Sequence, residues 1–265
     1  MVSVIDFHTH IFPDHLAPRA IATLLENAPK DRNFTDGTVS GLHDSMIKNG
    51  IALSVTLPIA TKKEQVAVIN SQQAQSDRSF IIPFGTIHPE SENIAAEVEF
   101  LTSHNIAGIK LHPEYQNFHL DDHRYFPMYD ILQSAGIIIV FHAGKDPGPF
   151  TGDHALPPAF RTLRREFPRL TMIAAHMGGW RIWDRVAEEF CGEDIYFDTS
   201  AVYGLLDKEL FMRIARRQGC ERLVFGSDSP WFDQGEAVTW IDSLPFSSGE
   251  KEMIFRTNAE TLLSL

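Results

Sequence analysis

With 265 residues, 43% hydrophobic content and a formal charge of -12, the chain is long enough to bury a large core and too acidic for binding nucleic acid through its phosphates, which needs a basic surface. The same charge disfavours an anionic membrane surface. Met1 is followed almost at once by an apolar run, with no signal-peptide pattern and no apolar stretch of bilayer length. Two cysteines, Cys191 and Cys220, each late in a predicted helix, make neither a disulfide framework nor a CxxC site, so a soluble cytoplasmic protein is expected.

The first strand is Val4-Ile5-Asp6-Phe7-His8-Thr9-His10. Alternate side chains on a strand share a face, which predicts Asp6, His8 and His10 pointing the same way. Two imidazoles so spaced can hold a divalent ion from one edge. Leu16 to Ala28 reads as a short amphipathic helix inserted after this strand, and Thr38 to Asn49 as the first crossover helix, ended by Asn49-Gly50. Strand two is Ile51 to Ile59, then a helix from Lys62 to Asp77, strand three from Phe80 to Ile87 and a helix from Glu92 to His104. Strand four, Ile106 to His112, is closed by Pro113; a helix from Tyr125 to Ala135 stops at Gly136. Strand five, Ile137 to His142, runs into a Gly/Pro-rich loop to Gly152. A helix from Leu156 to Phe167, strand six from Leu170 to His176 and a helix from Trp180 to Phe190 follow. Strand seven is Ile195 to Thr199, the next helix Asp207 to Gln218, and strand eight Leu223 to Asp228. Helices from Glu236 to Leu244 and from Glu250 to Leu263 finish the chain.

Strands alternating with helices pair in parallel through βαβ crossovers. Eight such units in this length predict an α/β fold, a single (β/α)8 TIM barrel spanning residues 1-265 as one domain, with the short helical insertion after strand one. The first strand lacks the glycine-rich turn of a dinucleotide-binding fold. Catalytic groups of such barrels lie at the C-terminal ends of the strands. Those ends carry His8 and His10, His88, Lys110 and His112, His142, His176, Asp198 and Asp228. Each also has a structural reading. A buried histidine can bond a backbone carbonyl, Asp228 can cap a helix ahead of Pro230, Asp198 can brace the barrel mouth, and Lys110 can pair with an interior carboxylate.

The order of motifs resembles the amidohydrolase superfamily, in the amidohydrolase-related branch that includes aminocarboxymuconate-semialdehyde decarboxylase. The matching pieces are Asp6-Phe7-His8-Thr9-His10, Gly108-Ile109-Lys110-Leu111-His112-Pro113, Phe141-His142-Ala143-Gly144, Ala175-His176-Met177-Gly178-Gly179, Tyr196-Phe197-Asp198-Thr199-Ser200, Phe225-Gly226-Ser227-Asp228-Ser229-Pro230 and Asn258-Ala259. The resemblance implies one divalent metal ion, usually Zn2+, held by His8, His10, His142 and Asp228. Asp228 would act as proton shuttle, and His176 would stand beside the activated water. Gly108-Ile109-Lys110 also resembles the carboxylated bridging lysine of binuclear members. His112 takes the strand-end position such a lysine needs, which favours one ion.

Lys110, His112, Lys145 and Arg181 are the candidate substrate-binding residues, with the loop Lys145-Asp146-Pro147-Gly148-Pro149-Phe150 as a lid. These features predict a metal-dependent hydrolase of an amide, lactone or ester in a small, anionic substrate. The alternatives are a non-oxidative decarboxylase of an unsaturated or aromatic acid and a catalytically silent metal-binding scaffold. A small carboxylate is the expected partner, with no nucleic acid or membrane; a homo-oligomer is compatible with the sequence.

Overall fold

The computed structural model describes residues 3–27, 32–146, 148, 150 and 152–265. Its elements in chain order are β1 (Val4–Thr9), α1 (Ala17–Asn27), α2 (Val39–Asn49), β2 (Ile51–Thr56), α3 (Val66–Ala74), β3 (Ile81–Pro83), β4 (Gly85–Thr86), α4 (Ile94–Ser103), β5 (Gly108–Leu111), α5 (Pro113–Gln116), α6 (Phe126–Ser134), β6 (Ile138–Phe141), α7 (Pro157–Glu166), β7 (Met172–Ala174), α8 (Trp183–Glu189), β8 (Tyr196–Asp198), α9 (Lys208–Gln218), β9 (Leu223–Val224), α10 (Gln234–Asp242), α11 (Ser248–Glu252) and α12 (Asn258–Leu263). A π-helical segment, Met253–Thr257, joins α11 to α12, so the last expected helix carries a wide turn in its middle.

All strand pairs are parallel, in the order β1-β2-β3 and β4-β5-β6-β7-β8-β9. The expected third strand is split. Its first half bonds to β2 and its second to β5, changing partner at the buried Phe84, just after Pro83, which has no N–H to give. The barrel closes between β1 and the chain beyond β9. Phe7 N–H donates to Phe225 C=O (2.7 Å), Asp228 N–H to His8 C=O (2.8 Å) and His10 N–H to Ser229 C=O (2.7 Å). The result is an α/β (β/α)8 barrel, with α1 as the insertion after β1.

Two apolar clusters follow from the strand alternation. Ile5, Phe7, Val55, Phe84, Ile138, Val140, Ile173 and Val224 form one, which is the barrel interior; α12 closes its end with Ala259. Ile109, Leu111, Ile139, Phe141, Met172, Ala174 and Phe197 face the other way and pack on helix residues such as Leu101, Tyr129, Phe160, Val186 and Phe211. The helices begin where their capping residues predict: Thr38 Oγ1 accepts from Gly41 N–H, and Asp207 Oδ1 from Glu209 and Leu210 N–H. Gly50 ends α2 at φ 68°, the left-handed turn that glycine takes without a Cβ clash.

The hydrogen-bonded strands stop short of the predicted ends. His112, His142, His176 and Asp228 all lie beyond the ladder, where the staves splay and the backbone turns. His176, Met177 and Asp228 have φ of 60°, 54° and 73°, a left-handed conformation that is costly for residues with a Cβ and common where a site dictates geometry. No helix among the described residues is long and apolar enough to cross a membrane.

Candidate active site

The cleft at the C-terminal ends of the strands has a volume of about 240 Å³. Its floor is polar, with His8, His10, Lys110, His142, His176 and Asp228. Its walls are largely apolar, with Leu57, Trp180, Trp231 and Phe232 from the barrel loops and Leu24 and Leu25 from α1.

His8, His10 and Asp228 converge: one donor atom from each lies within 4.8 Å of the others. Asp228 Oδ1 is 3.4 Å from His8 Nε2 and 3.2 Å from His10 Nε2. The second nitrogen of each ring fixes its tautomer. His8 Nδ1 contacts Asp198 Oδ2 at 2.7 Å, and His10 Nδ1 contacts the Leu57 carbonyl at 2.8 Å. Both partners only accept, so each Nδ1 donates and each Nε2 presents a lone pair. Two nitrogen lone pairs and a carboxylate oxygen therefore face one another and call for a proton or a cation between them. Burial holds His8 well below the usual imidazole range, and Lys110 pushes it the same way; a neutral ring is the form that ligates. Burial also raises Asp228. This donor set fits a divalent ion.

Asp198 organises the floor from below. It is fully buried. Besides the His8 ring it accepts from His176 N–H (2.9 Å) and Ser200 N–H (3.0 Å) through Oδ1, and from the Ser200 hydroxyl. The Ser200 oxygen lies 2.8 Å from His176 Nδ1. With its hydrogen given to Asp198 it accepts from that ring, which leaves His176 Nε2 bare. Asp6, the aspartate of the strand-one motif, departs from expectation. A register irregularity between Asp6 and Thr9 breaks the alternation, so Asp6 turns from the cleft to Ser227 Oγ (2.6 Å), Ser227 N–H (2.9 Å) and Gln234 Nε2 (2.8 Å). Burial pushes its carboxyl up to about 6 against those bonds.

His142, expected as the fourth ligand, is not brought into the His8, His10 and Asp228 group; its donor atom groups with His112 and Asp146 instead. Its Nε2 donates to the Lys145 carbonyl at 2.7 Å, which leaves Nδ1 bare as well, 3.1 Å from His176 Nε2, so this pair of lone pairs also calls for a proton or a cation between them. Gly144 lets the strand-five loop reach Trp180. At φ 83° a Cβ there would meet the Trp180 backbone nitrogen and oxygen at 2.5 Å. Lys110 is fully buried, with Nζ 3.4 Å from His8 Nε2. No carboxylate among the described residues is within ion-pair range of Nζ, and burial pushes the ammonium down to about 8. His112 is stacked between Tyr115 (3.9 Å) and His142 (4.1 Å), and its Nε2 faces Asp146 Oδ2 at 3.2 Å.

Lys145 and Arg181, expected to meet the substrate, do not line the cleft and are exposed. Lys145 turns its carbonyl to His142, and the Arg181 guanidinium lies 4.8 Å from the Trp180 ring centroid. In their place the cleft has Asp146 and Tyr115. Tyr115 is three residues after His112 in the short helix α5, the spacing that stacks its ring on the imidazole. Pro147, Pro149 and Thr151 of the lid loop lie outside the described residues.

A family model described as amidohydrolase matches residues 5–265. Gamma-resorcylate decarboxylase from Rhodococcus jostii is 28% identical over 135 residues, a match spanning 43% of this chain and only 40% of that protein. Two solved structures share the fold. An uncharacterized TIM-barrel protein from Bordetella bronchiseptica aligns with a TM-score of 0.79 at 20% identity over 99% of this chain and 98% of its own. A dihydroxybenzoic acid decarboxylase from Polaromonas, solved with manganese and the inhibitor 2-nitroresorcinol, aligns with a TM-score of 0.76 at 17% identity over 100% of this chain and 97% of its own. Taken with the convergent histidines and aspartate at the barrel mouth, the match across nearly the whole length makes this chain a member of the amidohydrolase family.

Proposed function

We propose that the protein is a metal-dependent, non-oxidative decarboxylase of a small aromatic acid. The observation that carries the reading is Lys110: a buried ammonium at the cleft floor, with no carboxylate of the protein in ion-pair range among the described residues, beneath walls of Leu57, Trp180, Trp231 and Phe232. A planar ring fits between such walls, and its carboxylate supplies the charge Lys110 lacks. The decarboxylase activities of the Rhodococcus and Polaromonas relatives support this reaction over hydrolysis, so the hydrolase expectation reaches no further than the family name.

His8, His10 and Asp228 would hold the ion, with the Nδ1 of His142 as a fourth donor; the manganese of the Polaromonas neighbour favours Mn2+ at least as much as Zn2+. When bound, the ion supplies Lewis acidity towards a substrate oxygen. The chain's residues do the rest. Lys110 orients the carboxylate, and the apolar walls keep water from the ring. Asp228, the carboxylate of the set, would take up a proton with the incoming acid and pass it to the ring carbon bearing the carboxylate. The bond from that carbon to the carboxylate then breaks, carbon dioxide leaves, and the bonding pair restores the aromatic ring. Bare His176 Nε2 accepts a hydrogen bond from a hydroxyl of the substrate.

The test is a panel of hydroxybenzoic acids beside amide, lactone and ester substrates, with Mn2+ or Zn2+ added. Carbon dioxide release with formation of the corresponding phenol is expected. Hydrolysis of an amide, lactone or ester without carbon dioxide release from any acid overturns the proposal.

A further inference from the structure

We propose that His119, Asp153 and His154 form a second divalent-cation site on the outer rim of the barrel mouth. One ligand atom from each lies within 4.8 Å of the other two. The two rings meet edge to face, their centroids 4.2 Å apart. The residues come from separate loops, His119 from the segment between α5 and α6 and the other two from the segment between β6 and α7. Leu120 N–H donates to His154 C=O at 3.1 Å, so the backbone itself holds these loops together. None of the three residues lines the cleft.

Glu114 is the second, independent feature. Its side chain is 1% exposed, with Oε2 3.1 Å from His154 Nδ1. The two atoms are off the line a hydrogen bond needs, so both lack a hydrogen-bond partner. Oε1 accepts from His154 N–H at 3.2 Å. No lysine or arginine among the described residues is in ion-pair range of this carboxylate. A buried carboxylate behind an imidazole is the arrangement that orients metal-ligating histidines and raises their basicity, and a cation at that imidazole compensates the buried charge. His119 and Asp153 are exposed, which leaves room for water to complete the shell. Two imidazoles and one carboxylate suit Zn2+, Ni2+ or Cu2+, whereas Mg2+ and Ca2+ take oxygen donors. A cation here ties the loop that carries Asp146 to the segment that follows α5, the helix that carries Tyr115; Asp146 and Tyr115 both line the cleft.

The experiment is equilibrium dialysis of the full chain against micromolar Zn2+, followed by elemental analysis. The wild-type protein should bind one ion per chain more than His119→Ala and more than Asp153→Asn. Both variants change exposed side chains, and circular dichroism checks that they fold. His8→Ala should keep the rim ion, and Glu114→Gln should weaken it by about 10–100-fold. The comparison stands whether or not the cleft itself holds an ion, because wild type and variant are read under the same conditions. Equal stoichiometry in wild type, His119→Ala and Asp153→Asn overturns the site; so does a wild-type protein whose every bound ion is lost in His8→Ala.

Discussion

Asp198 sets the positions of His8, His176 and Ser200 at once, through one buried carboxylate. Asp198→Asn keeps the shape and replaces an acceptor with an NH2 group that faces other donors. We expect a stability loss of about 1–3 kcal/mol from the mismatched buried groups and a fall in metal affinity of about 10–100-fold, the usual effect of removing a partner behind a ligating histidine. Urea denaturation and metal titration read the two separately, and a variant matching wild type in both would show that Asp198 does not organise the floor. Lys110→Met tests the carboxylate partner. A hydrogen bond to a charged group is worth about 1.5–3 kcal/mol, so KM for the aromatic acid should rise at least about tenfold with a smaller change in kcat. An unchanged KM removes Lys110 from substrate binding, and loss of a bound ion would favour the carboxylated, bridging lysine. At this scale the sequence revealed residues whose position follows from strand ends, such as His8, His10, Lys110 and Asp228. It did not reveal Asp146 or Tyr115, whose roles depend on a loop folding back over His112, nor that Lys145 uses its backbone oxygen instead of its charge.

Elements were legible where hydrophobic period and caps agree. Helix α2 begins after Thr38 and ends at Gly50 as its residues predict. Strand three reads as continuous because hydrophobicity does not record which neighbour a backbone bonds to, and the change of partner at Phe84 is a property of the closed sheet. The overrun at strand ends has a related cause: His176 continues an apolar run, yet its left-handed φ takes it off the ladder, while Asp228, also left-handed, follows Gly226-Ser227 beyond the end of β9. Helix α11 offers an element-scale test. Ser247 and Glu250 form a capping box, and Glu250 also pairs with Arg216. The Arg216 guanidinium, together with the Ser247 cap, holds the Glu250 carboxyl down to about 2. The folded value is depressed, so the stabilisation is complete above the unfolded value near 4.5 and is lost as pH falls towards 2. Glu250→Gln keeps a capping oxygen and loses the charge. Its melting temperature should lie below wild type at pH 6 and converge with it as pH drops from 4.5 towards the folded value. A constant offset across a melting series from pH 6 to 3 would mean that the ion pair adds nothing.

At the scale of the whole molecule, the proposed ion lies where the barrel closes. His8 and His10 flank the end of β1, and Asp228 lies on the chain beyond β9, the two segments joined by the closing backbone bonds. Asp6 reinforces the same seam through Ser227 and Gln234. An ion held by donors from both sides binds the closed barrel and not the unfolded chain, so it stabilises by mass action, by about 2.7 kcal/mol at a free concentration of 100 times its Kd. For a chain of this size each kcal/mol moves Tm by roughly 2–4 °C, which predicts a shift of roughly 5–10 °C. The measurement belongs in the His119→Ala background, where the rim site contributes nothing. There, chelation should lower Tm by that amount, Mn2+ or Zn2+ should restore it, and His10→Ala should abolish the response while the metal-free Tm changes little. A His119→Ala protein whose Tm ignores both chelator and added metal would break the link between the ion and barrel closure. If His142→Ala weakened metal binding as much as His10→Ala does, its Nδ1 would be a full ligand of the same ion, drawn from the far side of the mouth, and the ion would then span the barrel as well as its seam.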